Sequence, residues 1–223
     1  MGDPHKVEKE SISCDDPFWK VSESSFNVQL QSDLIAQYAR ETFPLLPSSE
    51  MNQYSIPARS ITHQGDSKLR GSIFNWSLLD IIGQHMRSHE SICDVGKPRV
   101  IIFCSSANRV LQFYHYLRAT KGNEYLIRKL FGKHIKLAEA VEVLKSKSTG
   151  IAIGTSARIS DLLNTNALNL DNTSLLVIDS SFRDVKNRTI WDWKESREPL
   201  LSIIKNPVFR SRLDDGNLSI LNF

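Results

Sequence analysis

Residues 175–182 read LLVIDSSF, an apolar run that delivers one carboxylate, Asp179, to its end. An acid so placed could hold a hydrated magnesium ion, cap the turn that follows, or pair with a base. Enzymes that split nucleotides place a second carboxylate beside the first, and here the next residue is Ser180. They also need a phosphate loop of the form G-x-x-x-x-G-K-[ST], whose backbone amides and lysine cradle the phosphates. The nearest stretch, GDSKLRGS at 65–72, has one residue too many between its glycines and no lysine before Ser72. GIAIGTS at 150–156 has no lysine, and GTSAR at 154–158 is not the G-x-S-x-G of a nucleophile elbow.

Other side chains suit binding better than catalysis. Arg128, Lys129, Lys133, His134 and Lys136 form a basic cluster around Phe131. Its charges suit RNA phosphates or a partner, whereas an aromatic of this size belongs more readily in a core. Arg183, Lys186, Arg188, Lys194 and Arg197 flank Trp191 and Trp193. Arginine and tryptophan commonly anchor interfaces, and Arg183, Trp191 and Trp193 are read as partner-binding, the alternative being tryptophans packed on a sheet. Thr155 and Arg158 sit at a turn that offers amide donors to an anion, unless Thr155 only caps the following helix. His85, His89 and Cys93 would align on a helix as zinc-competent ligands, but no fourth ligand is evident, and no metal is assigned.

These residues need a scaffold. Apolar runs at 98–106, 149–158 and 174–181 read as strands, with 125–131 and the terminal NLSILNF as further candidates. Helical periodicity covers 26–43, 72–89, 107–120, 136–148, RISDLLNT and a segment around 195–205, whereas 44–60, with three prolines, reads as a structured loop. Strand and helix alternate, and the strands are apolar throughout, which predicts an α/β fold with a mostly parallel sheet covered on both faces. Ligands in such sheets bind beyond the carboxyl ends of strands. Those ends here are CSSAN, GTSAR and DSSF.

Composition sets the limits. The chain has 223 residues, net charge +3 and 24% charged residues, with no apolar stretch near the roughly 20 residues a membrane span needs. Three cysteines without paired spacing fit a reducing compartment. Residues 1–24 are polar and read as a weakly ordered tail ahead of one domain at 25–223. No cofactor, membrane association or small-molecule substrate is expected.

The strand ends resemble the first RecA-like lobe of DEAD-box RNA helicases. Ser105, Ser106, Ala107 and Asn108 stand where those proteins have Pro-Thr-Arg-Glu, GTSAR stands at Thr-Pro-Gly-Arg, and VIDSSF stands at Val-Leu-Asp-Glu-Ala-Asp. MNQYSIP resembles their adenine-sensing motif, with Asn52 at the glutamine place. The resemblance implies RNA contacts at Ser106, Asn108, Thr155 and Arg158, joined by Lys129, Lys133, His134 and Lys136, and a vestigial nucleotide site at Asn52 and Asp179. The residues after Asp179 are too few for a second lobe. KLFGKHIK at 129–136, with the flanking helix and strands, is similar to the Cms (CMSS) family of eukaryotic small-subunit pre-ribosomal proteins. That similarity implies a nucleolar, non-catalytic assembly factor, a component of the early particle containing the U-three small nucleolar RNA, whose partners are pre-ribosomal RNA and assembly proteins. A residual nucleotide-dependent enzyme and a pure protein scaffold are the competing readings.

Overall fold

A computed structural model describes residues 28–62, 76–87, 94–122, 124–132 and 135–222. The expected tail at 1–24 lies outside them, as does the GDSKLRGS stretch at 65–72. Among the described residues five strands form one parallel sheet: β1 (Val100–Cys104), β2 (Ile127–Leu130), β3 (Ile151–Thr155), β4 (Leu175–Ile178) and β5 (Ser219–Asn222), in the order β2-β3-β1-β4-β5. The α/β sandwich predicted from the sequence is the fold observed, an all-parallel sheet flanked by helices that is consistent with a RecA-like type of fold.

Side chains along a strand point alternately to opposite faces, and here both faces are covered. Ile101, Phe103, Ala152, Leu176, Ile178 and Ile220 pack on one side against α1 (Val28–Thr42), α5 (Leu137–Ser146), α6 (Ser156–Asn164), α7 (Lys194–Lys205) and α8 (Pro207–Asp214). Val100, Ile102, Cys104, Ile151, Ile153, Leu175 and Val177 pack on the other against α3 (Trp76–Arg87) and α4 (Ala107–Lys121). This is why the strands read as unbroken apolar runs. The proline-rich loop holds one turn of helix, α2 (Ser48–Met51), and two 3-10 turns, Asn52–Tyr54 and Ala58–Ser60.

α8 is an element the sequence reading left out. Its start is encoded locally: Asn206 caps it by accepting from Val208 N and Phe209 N, and Pro207 occupies the first helical position. At the outer edge of β5, Ile61 makes a single parallel bridge to Ile220, with Thr62 N donating to Ile220 O at 2.7 Å.

Gly154 closes the sheet next to β2. A Cβ there would lie 2.4 Å from Leu130 O and 2.9 Å from Leu130 Cβ. Backbone oxygen cannot yield as a flexible side chain can, so Gly154→Ala is expected to cost about 1–3 kcal/mol by overpacking. Thermal denaturation followed by circular dichroism reads this directly, and an unchanged melting temperature would refute the close approach.

Candidate functional site

The carboxyl ends of β1, β3 and β4 converge as the parallel sheet requires, with Cys104 paired to Thr155 and Phe103 to Ile178. Asp179 follows β4 and is fully buried, its amide held by Phe103 O at 3.0 Å. Both its oxygens are engaged. Arg109 Nε donates to Oδ2 at 2.6 Å, Arg109 Nη2 donates to Oδ1 at 3.1 Å, and Ser181 Oγ donates to Oδ1 at 2.8 Å. Arg109 is itself only 1% exposed. Its guanidinium lies 5.0 Å from the Phe113 ring centre and 5.4 Å from that of Phe182, and Nη1 donates to Gln112.

The other positions of DSSF are equally committed. Ser180 Oγ donates to Asn222 Oδ1 and accepts from Trp191 Nε1 at 2.9 Å. Ser181 bridges Asp179 and Arg109, and Phe182 lies beside the guanidinium. Of the three fates open to Asp179, pairing with a base is the one present. Its partner, Arg109, was not singled out as functional in the sequence. The available signal was chemical: a carboxylate ending a buried strand requires a cation, and Arg109 is the basic residue of the first turn after β1. Beneath the pair, burial pushes the Cys104 thiol well above its ordinary range, and Asp179 adds to the rise. Cys104 is therefore an inert packing residue.

Asn52 and Asp179 are not brought together. Asn52 is exposed at the head of a 3-10 turn that packs on α1 and α7, and its carbonyl accepts from Ser55 N. The following Ile56 is buried and its carbonyl accepts from Ser32 Oγ of α1.

The residues assigned to RNA are spread along one end. Ser106 caps α4 by accepting from Arg109 N at 3.3 Å, and Asn108 is exposed in its first turn. Thr155 occupies the N-cap position of α6, which starts at Ser156 rather than near Arg158, and makes no side-chain cap bond. Arg158 reaches the loop after β2, where a Cβ at Gly132 would lie 2.9 Å from Nη2. The fold thus joins Arg158 to the 128–136 segment. Arg158 Nη1, Ser105 Oγ and Ser156 Oγ are buried without hydrogen-bond partners among the described residues. Lys129 is half-buried, Lys136 is exposed at the start of α5, and Phe131 is in the core at 8% exposure. Lys133 and His134 lie outside the described residues.

The proposed partner face divides. Trp191 is a correction: it is 3% exposed, stacked on Tyr38 with ring centres 5.2 Å apart, and it belongs to the core. Trp193 is half-buried under Arg188, whose Cζ lies 3.7 Å from its ring centre. Asp184 fixes this loop by accepting from Arg188 Nε, Nη2 and N and from Lys186 N, and the Arg188 hydrogen bond holds its carboxyl below the ordinary carboxylate range. Arg183 is half-buried and donates to Asn187 O. Of the zinc-competent histidine and cysteine set, His85 Nδ1 lies 3.0 Å from Ser174 Oγ, whereas His89 and Cys93 fall outside the described residues. Among the described residues no helix is long and apolar enough to cross a membrane.

Residues 6–223 match the CMS1 family, described as the U3-containing 90S pre-ribosomal complex subunit. Protein CMS1 of Chaetomium thermophilum is 32% identical over 189 residues, covering 84% of this chain and 75% of that protein. Protein cms1 of Schizosaccharomyces pombe is 28% identical over 190 residues, covering 85% and 67%. Protein CMSS1 of Homo sapiens is 30% identical over 162 residues, covering 70% of this chain and 54% of the human protein. With nearly its whole length matched, this chain belongs to the CMS1 family.

Proposed function

We propose that this protein is a non-catalytic subunit of the nucleolar small-subunit pre-ribosome, a helicase-like domain that contributes to ribosomal RNA processing by holding RNA and assembly proteins. The family's description supports the setting. The observation that carries the non-catalytic part is Asp179. A carboxylate that is to hold magnesium and phosphate must keep oxygens free, but both of its oxygens here are taken by Arg109 and Ser181. The remaining positions of DSSF bind the sheet edge and the guanidinium instead of a nucleotide. The RNA part rests on Arg158 reaching the loop after β2 at Gly132, on Lys136 exposed at the start of α5, and on Ser106 and Asn108 opening α4.

The test is a thermal melt with and without magnesium and ATP. A ligand at about one hundred times its Kd stabilises the native state by about 2.7 kcal/mol, which is several degrees for a chain of this size. No shift is expected. A saturable shift that disappears in Asp179→Asn would overturn the non-catalytic reading. Crosslinking of the tagged protein in cells tests the RNA part: crosslinks concentrated on one stretch of precursor RNA are expected, and background crosslinking would move the function to protein contacts alone.

A further inference from the structure

Basic residues are not spread evenly along this chain. Residues 95–138 carry nine lysines and arginines and one acid, Glu124, whereas the rest of the chain carries nineteen basic and twenty-four acidic residues. The basic stretch builds β1, α4, β2 and the entry to α5, which is the β2 end of the sheet. Two of the nine are paired with acids, Arg109 with Asp179 and Lys97 with Asp171; Arg99 precedes β1, and Lys133 lies outside the described residues. Arg118, Lys121, Arg128, Lys129 and Lys136 lie along this flank, with Arg118 Nη1 donating to Gly122 O and Arg128 Nη2 to Ser148 O.

Two of them converge on one ring. Lys129 Nζ lies 4.4 Å and Arg118 Cζ 5.7 Å from the centre of Tyr114, a half-buried ring of α4 packed against the edge of the core. One helical turn further on, Lys121 Nζ lies 5.9 Å from the centre of Tyr125. Among the described residues Lys121, Lys129 and Lys136 have no carboxylate partner. Cations gathered on aromatic rings with a single acid, Glu124, beside Tyr125 raise the local potential, and a polyanion relieves it.

Building on the RNA reading above, we infer that the α4–β2 flank is a phosphate track: RNA leaves the strand ends at Arg158 and Lys136 and runs down α4 across Lys129, Arg118 and Lys121. Tyr114 holds two of these cations in place. From Tyr114 to Lys121 the helix rises about 10 Å, room for on the order of three phosphates. Lysine on an edge strand also deters unwanted strand pairing. That role alone predicts aggregation in a variant and leaves RNA affinity untouched.

The experiment titrates the full-length chain against a short fluorescein-labelled single-stranded RNA of mixed sequence, from about 50 to about 200 mM KCl. Removing three phosphate contacts in Arg118→Gln/Lys121→Gln/Lys129→Gln is expected to weaken binding on the order of tenfold and to flatten the log–log salt slope by about 2. Lys129→Arg, which keeps the charge and alters the packing, is expected to retain full affinity. Wild-type affinity and slope in the triple variant, with loss only in Arg158→Gln, would overturn the track and leave the strand-end site standing. Absence of binding by the wild-type chain would overturn both. Displacement of the RNA by polyglutamate at equal charge concentration would assign the flank to an acidic protein and overturn the RNA track.

Discussion

Arg109→Ala is expected to destabilise the protein by about 3–5 kcal/mol, because it strands the buried Asp179 carboxylate without its cation. For a chain of this size that lowers the melting temperature by on the order of 10 °C. Asp179→Asn is expected to be similarly costly, since it leaves the buried guanidinium without its counter-charge. Arg109→Lys is not a conservative change here: Nε and Nη2 form a two-point fork on the two carboxylate oxygens that an ammonium cannot reproduce. The double variant Arg109→Met/Asp179→Leu is expected to recover most of the loss, because apolar side chains of similar volume dispense with the desolvation cost of both ions. Urea unfolding of the four variants checks this. A stable Asp179→Asn would mean that the acid is not kept for the fold, which would reopen a ligand role for it.

Trp191→Ala is expected to cost about 3–5 kcal/mol as well. It removes the ring stacked on Tyr38 of α1 and the donor to Ser180 that ties β4 to β5 through Asn222. Trp193→Ala is expected to cost about 1 kcal/mol or less, the scale of a partly exposed ring–guanidinium contact. The two tryptophans, two residues apart, therefore separate stability from recognition. Melting temperature follows Trp191, whereas capture of assembly proteins from a cell extract is expected to follow Trp193 and Arg183. Equal destabilisation by both substitutions would contradict the packing described.

Local sequence patterns foretold the scaffold closely. β1, β3 and β4 were legible because burial on both faces demands unbroken apolar runs, and α4 because Ser106 caps it directly after a strand. α8 was missed although Asn206 and Pro207 announce it, because eight residues carry too weak a periodicity beside two charged turns. The site was harder to read for a different reason. Arg109 meets Asp179 across seventy residues of chain, and nothing in either segment alone specifies the other. The stretch around Trp191 and Trp193 shows composition but not direction, and only the position of Tyr38 on α1 decides which ring turns inward.

The sheet order has a consequence during synthesis. β1 lies in the middle, yet its neighbours are β3 and β4, whose first residues follow Cys104 by about fifty and seventy positions. At roughly 5–20 residues per second, β1 leaves the ribosome several seconds before either neighbour exists. Val100, Ile101, Ile102, Phe103 and Cys104, all fully buried in the finished protein, spend that interval without a partner strand. The nascent chain therefore holds an unpaired apolar strand until β3 emerges, and faster elongation shortens that interval.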